Sequence, residues 1–534
     1  VPFLYGSSRP GARRSRIGVG LAITLLVAAC SVGPDFSRPD APEDAAFTPK
    51  PLPEKTVSAA VQGGEAQHLA MDRDIPFEWW ELFRSPALNS LIKKAFEANP
   101  TLPAAEAALR QANEMVLAQV GFFFPTIEGN YEFERQKVAG NLSNSVAPGV
   151  QGNGQDIAAF QSTTSSPHNK PLFYNFHTAQ LTLAYVPDVF GSNRRQVESL
   201  AAQAAVQRFQ LEATYITLAA NVASTAIQEA SVRGQIAAAK EIIAADTKAL
   251  EILRHQFRLG YAMRIDVAAQ EAALAQAQAT LPPLEKQLEQ TRDLLRVLVG
   301  NLPNEDLAET FDLDGLHLPE DLPVSLPSKL VDQRPDIRAA EEQLRSTNAQ
   351  VGVAIANRLP QFSIAGTYGG TATQFSQMFQ PGGPFWTIIG GVTQPIFDGG
   401  TLLHRERAAD EALMQAAYQY RNTVLTAYQN VADSLHAVLS DADTLKADLD
   451  SERAAKVTLD LTQRQMQVGY VNYLTLIQAE LAYQQARLAL VQAQAARFGD
   501  TAALFQALGG GWWNRKEVAM NDKHHDVTDR VEKP

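Results

Sequence analysis

Thr126-Ile127-Glu128-Gly129-Asn130-Tyr131-Glu132-Phe133-Glu134 reads as an extended strand with two unlike faces. Its odd positions, Ile127, Gly129, Tyr131 and Phe133, are apolar or small, and its even positions are polar. Ala179, Leu181, Leu183 and Tyr185 alternate in the same way with Thr178, Gln180 and Thr182, as do Phe362, Ile364, Gly366 and Tyr368 with Ser363, Ala365 and Thr367. A fourth run, Phe385 to Thr393, alternates poorly. Strands are expected at about 122–134, 174–187, 360–371 and 385–396. A two-residue period over about ten residues is how a barrel strand between lipid and water reads, and a half-buried soluble sheet has the same period. Four strands cannot close a barrel, since one filled by its own side chains already needs about eight. An open strand edge in lipid leaves backbone groups unsatisfied at several kcal/mol each. If these strands span a membrane, several chains must share one barrel.

Outward from the strands the chain repeats itself. Pro100, Ala104, Ala105, Glu106, Leu109, Arg110, Asn113, Val116 and Pro125 recur 235 residues later, without a gap, as Pro335, Ala339, Ala340, Glu341, Leu344, Arg345, Asn348, Val351 and Pro360. At an offset of 209, Gly260-Tyr261, Glu271, Ala273, Gln276, Ala277 and Gly300 recur as Gly469-Tyr470, Glu480, Ala482, Gln485, Ala486 and Gly509. Pro187 to Gly191 echoes Pro395 to Gly399. The chain is thus a tandem duplication, with repeats at about 78–300 and 328–510, each reading helix, strand pair, long helix, helix. After Gly191 and after Gly400, roughly 70 residues rich in Ala, Gln, Leu, Glu and Arg run without proline. At 1.5 Å per residue each would make a helix of about 100 Å, which must pack beside others rather than inside a globule. Each run stops at a glycine, Gly260 or Gly469, suited to a left-handed helix terminus, and a second helix returns. The recurrence of Gly-Tyr at both tips admits a docking role as well as turn chemistry.

Composition bounds the rest. The 534 residues carry 46 Lys+Arg against 58 Asp+Glu, a net charge of −12 that gives no reason to expect nucleic-acid binding. Charged residues are 19%, against the ~25% usual for globular chains and more for disordered ones. A single Cys excludes an intramolecular disulfide scaffold and a Cys-rich metal site. That Cys30 follows Val27-Ala28-Ala29, an apolar run from Ile17, and a basic stretch with Arg9, Arg13, Arg14 and Arg16. The pattern is a signal peptide, residues 1–29, ending in what resembles a bacterial lipobox, with Cys30 as the acylated mature N-terminus. The apolar run is shorter than the roughly 20 residues that span a bilayer, and no later segment reads as a transmembrane helix. Residues 514–534 are polar and expected to be disordered.

Catalytic chemistry finds no foothold. Nine histidines are scattered, none in H-E-x-x-H; there is no G-x-S-x-G elbow and no Gly-Lys phosphate loop. No enzyme activity, metal or cofactor is expected.

In order along the chain, Trp79-Trp80-Glu81-Leu82-Phe83 with Pro86 and Asn99-Pro100, Arg334-Pro335-Asp336-Ile337-Arg338-Ala339-Ala340-Glu341, Pro395-Ile396-Phe397-Asp398-Gly399-Gly400, Gly469-Tyr470 through Tyr473-Leu474, and Ala507-Leu508-Gly509-Gly510-Gly511-Trp512 resemble the outer-membrane efflux channel proteins, in particular the lipoprotein branch that serves tripartite resistance pumps. The resemblance covers about Cys30 to Trp513. It implies a mainly α chain with a membrane β part: a homotrimer whose four strands per chain form a 12-stranded β-barrel on a long periplasmic α-helical barrel, with a mixed equatorial region that would take in Leu302–Pro327 and the residues after Gly511. It implies passive conduction, an inner-membrane pump, and a periplasmic adaptor docking at the tips, here Gly260, Tyr261, Gly469 and Tyr470. It also implies the outer membrane of a Gram-negative bacterium, with lipidation at Cys30. Relatives close the periplasmic end with a leucine ring and an acidic residue one turn on; Leu474 matches the leucine, but the acidic position is Gln478 and a following basic position is Leu481. The gate here is expected to rest on apolar contact. If the even face of the first strand lines the lumen, Glu128, Glu132 and Glu134 project into it and favour cations. Two alternatives remain at this stage: a secretion conduit for polypeptides or oligosaccharides, and a non-conducting periplasmic scaffold lipoprotein. Arg135–Leu172 is long for a strand connection and reads as an extracellular loop.

Overall fold

A computed structural model describes residues 31–42, 46–138 and 172–515. Cys30, the 1–29 signal sequence and most of the 135–172 connection lie outside the described residues. Eight helices are described: α1 (Pro86–Ala98), α2 (Thr101–Val120), α3 (Ser192–Arg258), α4 (Arg264–Leu298), α5 (Pro327–Gln333), α6 (Pro335–Ala356), α7 (Thr401–Gln467) and α8 (Tyr473–Ala507). The strands are β1 (His68–Met71), β2 (Thr126–Val138), β3 (Leu172–Tyr185), β4 (Asp321–Val324), β5 (Gln361–Ala372) and β6 (Pro384–Thr393). The duplication is visible element by element: α3 and α7 each have 67 residues, and α4 and α8 each have 35. No helix among the described residues is long and apolar enough to cross a membrane.

The chain divides into two compact units. One holds the chain up to Ser37, Ala112–Gln203 and Leu344–Ala416; the other holds Arg38–Gln111, Ala204–Gln343 and the chain from Ala417. The first contains a four-stranded antiparallel sheet in the order β2-β3-β5-β6. Helix starts at its base carry a carboxylate cap in both repeats, from positions that do not align. The Asp188 carboxylate accepts from the Asn193 and Arg194 N–H groups, each at 2.9 Å, and Asp398 accepts from those of Gly400 at 2.9 Å and Leu402 at 2.8 Å. Such acceptors satisfy donors that the first turn leaves open.

Strand limits differ from the sequence expectation. β2 starts at Thr126, not near 122, because Gly121–Phe123 close a 3-10 turn and Pro125 has no N–H to give a ladder. β2 then continues to Val138 and β3 begins at Leu172, so both ends of the 135–172 connection are paired strand. β3 and β6 stop at Tyr185 and Thr393, two residues short of Pro187 and Pro395.

The second unit owns the main core, and the recurring motifs turn out to build it. Trp79 stacks on Phe505 at 5.4 Å, Trp80 meets Phe96 edge-on, and Phe83 faces Phe498. Arg334 holds the end of α8 by donating to the Ala507 carbonyl at 2.8 Å while forking onto Asp336. Glu341 accepts from Arg338 at 2.8 Å and pairs with Arg38 at 2.9 Å. Gly511, at φ +69°, lies so close to the Ile75 carbonyl that a Cβ would stand 2.5 Å from it. β4, within the Pro-rich segment, pairs in parallel with β1. Of the polar stretch expected to be disordered, 514–534, residues 516–534 lie outside the described residues, and Asn514 and Arg515 are packed. Asn514 donates to Asp74 at 3.0 Å and to the Ile75 carbonyl at 2.7 Å, and Arg515 reaches Glu212 at 2.7 Å and covers the Tyr215 ring.

Candidate functional site

Register decides what the sheet presents. Glu128, Asn130, Glu132 and Glu134 pair with Thr182, Gln180, Thr178 and Phe176; Thr182, Gln180 and Thr178 pair with Thr367, Gly369 and Thr371; Thr367 pairs with Thr387. Neighbouring residues across a ladder share a face. One face is therefore largely carboxylate, amide and hydroxyl, and Glu128, Glu132 and Glu134 stand exposed on it. The opposite face carries Ile127, Tyr131, Phe133, Leu181, Ile364, Tyr368, Trp386, Ile388 and Val392, all exposed. A soluble protein buries such a surface; single apolar residues on a surface are ordinary, but a contiguous sheet face is not. The poor alternation of β6 comes from Phe385 and Ile389, which sit on the polar face. Among the described residues β2 and β6 are open edges, their outer backbone groups unpaired in the sheet.

The two repeats end their long helices with the same local chemistry. At the first tip the Gly260 N–H donates to the Phe257 carbonyl at 3.0 Å and the Tyr261 N–H to that of Gln256 at 2.9 Å. At the second, Gly469 donates to Met466 at 3.0 Å and Tyr470 to Gln465 at 2.9 Å. Both glycines are left-handed, at φ +84° and +82°, with no atom within 4 Å of where a Cβ would stand. The backbone turn, not packing, demands glycine there. The return helices start on side-chain caps: Asp266 accepts from the Met263 N–H at 3.1 Å, and Asn472 from the Thr475 N–H at 2.9 Å. Tyr261 and Tyr470 project into solvent, 83% and 84% exposed.

Just behind the tips Leu250, Leu253 and Val267 of the first hairpin pack with Tyr473, Leu476 and Ile477 of the second. The Tyr473 hydroxyl donates to Gln270 Oε1 at 2.7 Å. That contact faces α8 inward at 473, 476 and 477, which leaves Leu474 and Gln478, one turn apart, exposed on another face of the helix.

Beneath this contact lies a polar cluster that sequence reading missed. Asp246, 3% exposed, accepts from Gln270 Nε2 at 3.5 Å and Gln484 Nε2 at 3.4 Å. One oxygen of Glu480 is buried without a hydrogen-bond partner. Burial, helped by the Asp246 charge, pushes the Glu480 carboxyl up to about 7, and burial also raises Asp246. No group of three or more metal-binding side chains occurs among the described residues.

The family model described as "Outer membrane efflux protein" matches residues 91–301 and 326–510. The chain is 28% identical over 441 residues to the pyoverdine export outer membrane protein OpmQ of Pseudomonas putida, covering 81% of this chain and 88% of that one. It is 25% identical over 517 residues to outer membrane protein OprJ of Pseudomonas aeruginosa, covering 95% and 99%. Among solved structures, the outer-membrane channel OprN has the same fold at a TM-score of 0.75 and 24% identity, covering 90% of this chain and all of that one. The CmeC outer membrane channel of Campylobacter jejuni matches at 0.76 and 21%, covering 94% and 100%.

Proposed function

The chain belongs to the outer membrane efflux protein family, and from that premise we propose that it is the outer-membrane channel of a tripartite efflux system. It conducts passively what an inner-membrane pump and a periplasmic adaptor deliver. The observation that carries this reading is the sheet: an exposed apolar face, a polar face and two unpaired edges. Lipid takes the first, a water-filled lumen the second, and further copies of the chain the third. Three copies would supply twelve strands, and the long helices would continue the conduit. Acylation at Cys30 would add a lipid anchor.

The duplication supports copies meeting head to tail. Inside one chain α3 of the first repeat packs on α6 of the second through polar side chains. Arg195, Ser199 and Ser346 are buried there, and the two serine hydroxyls lie 2.9 Å apart. The repeat offsets put His404 and Ala408 of α7 in the places of Arg195 and Ser199, and Gln111 and Met115 of α2 in those of Ser346 and Gln350. All four are exposed. Ile396 and Phe397, repeat counterparts of half-buried Asp188 and Val189, are 93% and 92% exposed. A second copy that repeats the in-chain interface covers all of these at once.

Leu474 and Gln478 are proposed as the periplasmic constriction, and Gly260-Tyr261 with Gly469-Tyr470 as the adaptor-docking tips. Cargo would be set by the pump, since the relatives' names range from pyoverdine export to toluene, solvent and antibiotic efflux. The test is single-channel recording of the purified protein in planar bilayers. Wild type should show a small, mostly closed conductance, and Leu474→Ala should raise its open time or conductance severalfold. A protein that inserts and never conducts, wild type or variant, overturns the channel reading in favour of a scaffold. Conductance unchanged by Leu474→Ala removes Leu474 from the gate.

A further inference from the structure

All four helix connections leave the sheet at one end, next to Thr126, Tyr185, Gln361 and Thr393. The far end is marked by Val138, Leu172, Ala372 and Pro384. Along the apolar face of β2 the exposed side chains are Ile127, Tyr131 and Phe133, with the two aromatics toward the far end. On β5 and β6 the same face carries exposed Tyr368 and Trp386, level by register with Gly129, two residues before Tyr131.

Beyond these aromatics the face changes character within two residues. Arg135 and Lys137 are the next two side chains of β2 on the apolar face, and both are exposed. They pair across the ladder with Asn175 and Phe173, and Lys137 Nζ lies 5.4 Å above the Phe173 ring. By register, no position of any of the four strands on this face is acidic, and these two are its only Lys or Arg residues. The carboxylates of Glu132 and Glu134 belong to the opposite face. Two cations about 7 Å apart on one strand, just past an aromatic girdle, stand at headgroup depth.

We propose that Arg135 and Lys137, with Asn175 opposite, form a binding site for the phosphate of an outer-leaflet glycolipid, the phosphorylated glucosamine lipid A. The aromatic row sets the depth, the Arg fork and Lys ammonium take the anionic phosphate, and the Asn175 amide offers a neutral donor to sugar or phosphate oxygens. The proposal rests on the reading that the apolar face lies in lipid.

The test uses the full-length protein reconstituted into phosphatidylethanolamine vesicles carrying a trace of lipid A, either bisphosphorylated or dephosphorylated. Flotation reports insertion, and native mass spectrometry of the re-extracted protein reports lipid A retained per chain. Wild type should retain the bisphosphorylated form roughly 25-fold better than Arg135→Gln/Lys137→Gln, since each basic residue near an anionic surface contributes about fivefold. Both proteins should retain the dephosphorylated form equally and weakly, and excess inorganic phosphate should compete poorly because it lacks the acyl chains. Equal retention of the bisphosphorylated form by a floating wild type and a floating variant overturns the site alone. A wild type that does not float overturns the membrane reading and the site with it.

Discussion

Glu271 and Glu480 occupy the same position in the two repeats, and their surroundings drive them apart. Glu271 receives Arg254 at 2.8 Å and Arg264 at 3.7 Å, and the Arg254 hydrogen bond, assisted by both charges, holds its carboxyl below the usual range. The counterparts of those arginines at the 209-residue offset are Gln463 and Tyr473. Glu480 thus faces Asp246 instead of a cation, and its carboxyl sits near 7 rather than at its ordinary 4.5. Between those two values the folded chain keeps a proton that the unfolded chain has released. The stability from this site is fully present below pH 4.5 and is lost as pH rises through 7. Asp441, raised by burial and by neighbouring Asp500, adds a slope of the same sign elsewhere on the bundle. Hydrogen exchange across 473–484 should therefore be faster at about pH 8 than at about pH 5, after correction for intrinsic rates, in wild type. Glu480→Gln should remove most of that difference and stabilise the contact at the higher pH by about 1 kcal/mol, the scale of one orphaned buried acceptor. A variant with the wild-type pH dependence would show that Glu480 is not the titrating group. The repeat alignment marked Glu480 in the sequence, but its protonation was not legible there. What decides it is Arg254 against Gln463, seventeen residues back and brought near only when the hairpin closes.

At the scale of elements, legibility followed how much of a strand's environment its own residues carry. β2 faces glutamates one way and aromatics the other, so its period is plain in nine residues. β6 places Phe385 beside Gly369 and Ile389 beside Ala365 on the polar face, and only its register with β5 assigns them. The ends were less visible, because an alternating run does not show where a 3-10 turn or a proline breaks the ladder. The long helices were legible from composition, yet which stripe they bury was not. α7 buries Tyr420, Val424, Ala427, Val431, Leu435, Val438, Ala442 and Leu445 at three- and four-residue steps, while Leu425, Val457 and Leu461 remain exposed. For the sheet, the polar face makes a direct prediction. Glu128, Glu132 and Glu134, repeated by each copy, should make the channel modestly cation-selective. Neutralising all three to Gln should bring the reversal potential in a salt gradient close to zero. The wild-type selectivity should fade as salt rises, because screening shortens with ionic strength. An anion-selective wild type would place these carboxylates outside the lumen.

For the whole molecule, the question is which surfaces the chain leaves for its own copies, and the duplication answers it with a specific pair. If the in-chain contact of Ser199 with Ser346 recurs between copies, Ala408 of one chain lies against Gln111 of the next. Oγ atoms 2.9 Å apart imply Cβ atoms near disulfide range. The variant Gln111→Cys/Ala408→Cys should therefore oxidise to intermolecular disulfides, giving monomer, dimer and trimer bands on non-reducing gels, with the trimer covalently closed and no larger ladder. Each single-cysteine variant should stay monomeric on the same gel, and Cys30, whether acylated or free, is present in both and serves as the internal control. Closure at three is what the proposed trimer predicts: two copies supply only eight strands, enough for a barrel that side chains fill, whereas three supply twelve and would leave an interior wide enough for water. A ladder that continues past three would mean that the head-to-tail contact is right and that the ring does not close at twelve strands. Absence of any disulfide in oligomeric protein would mean that copies meet through another surface, leaving Ile396 and Phe397 without the partner the repeat assigns them.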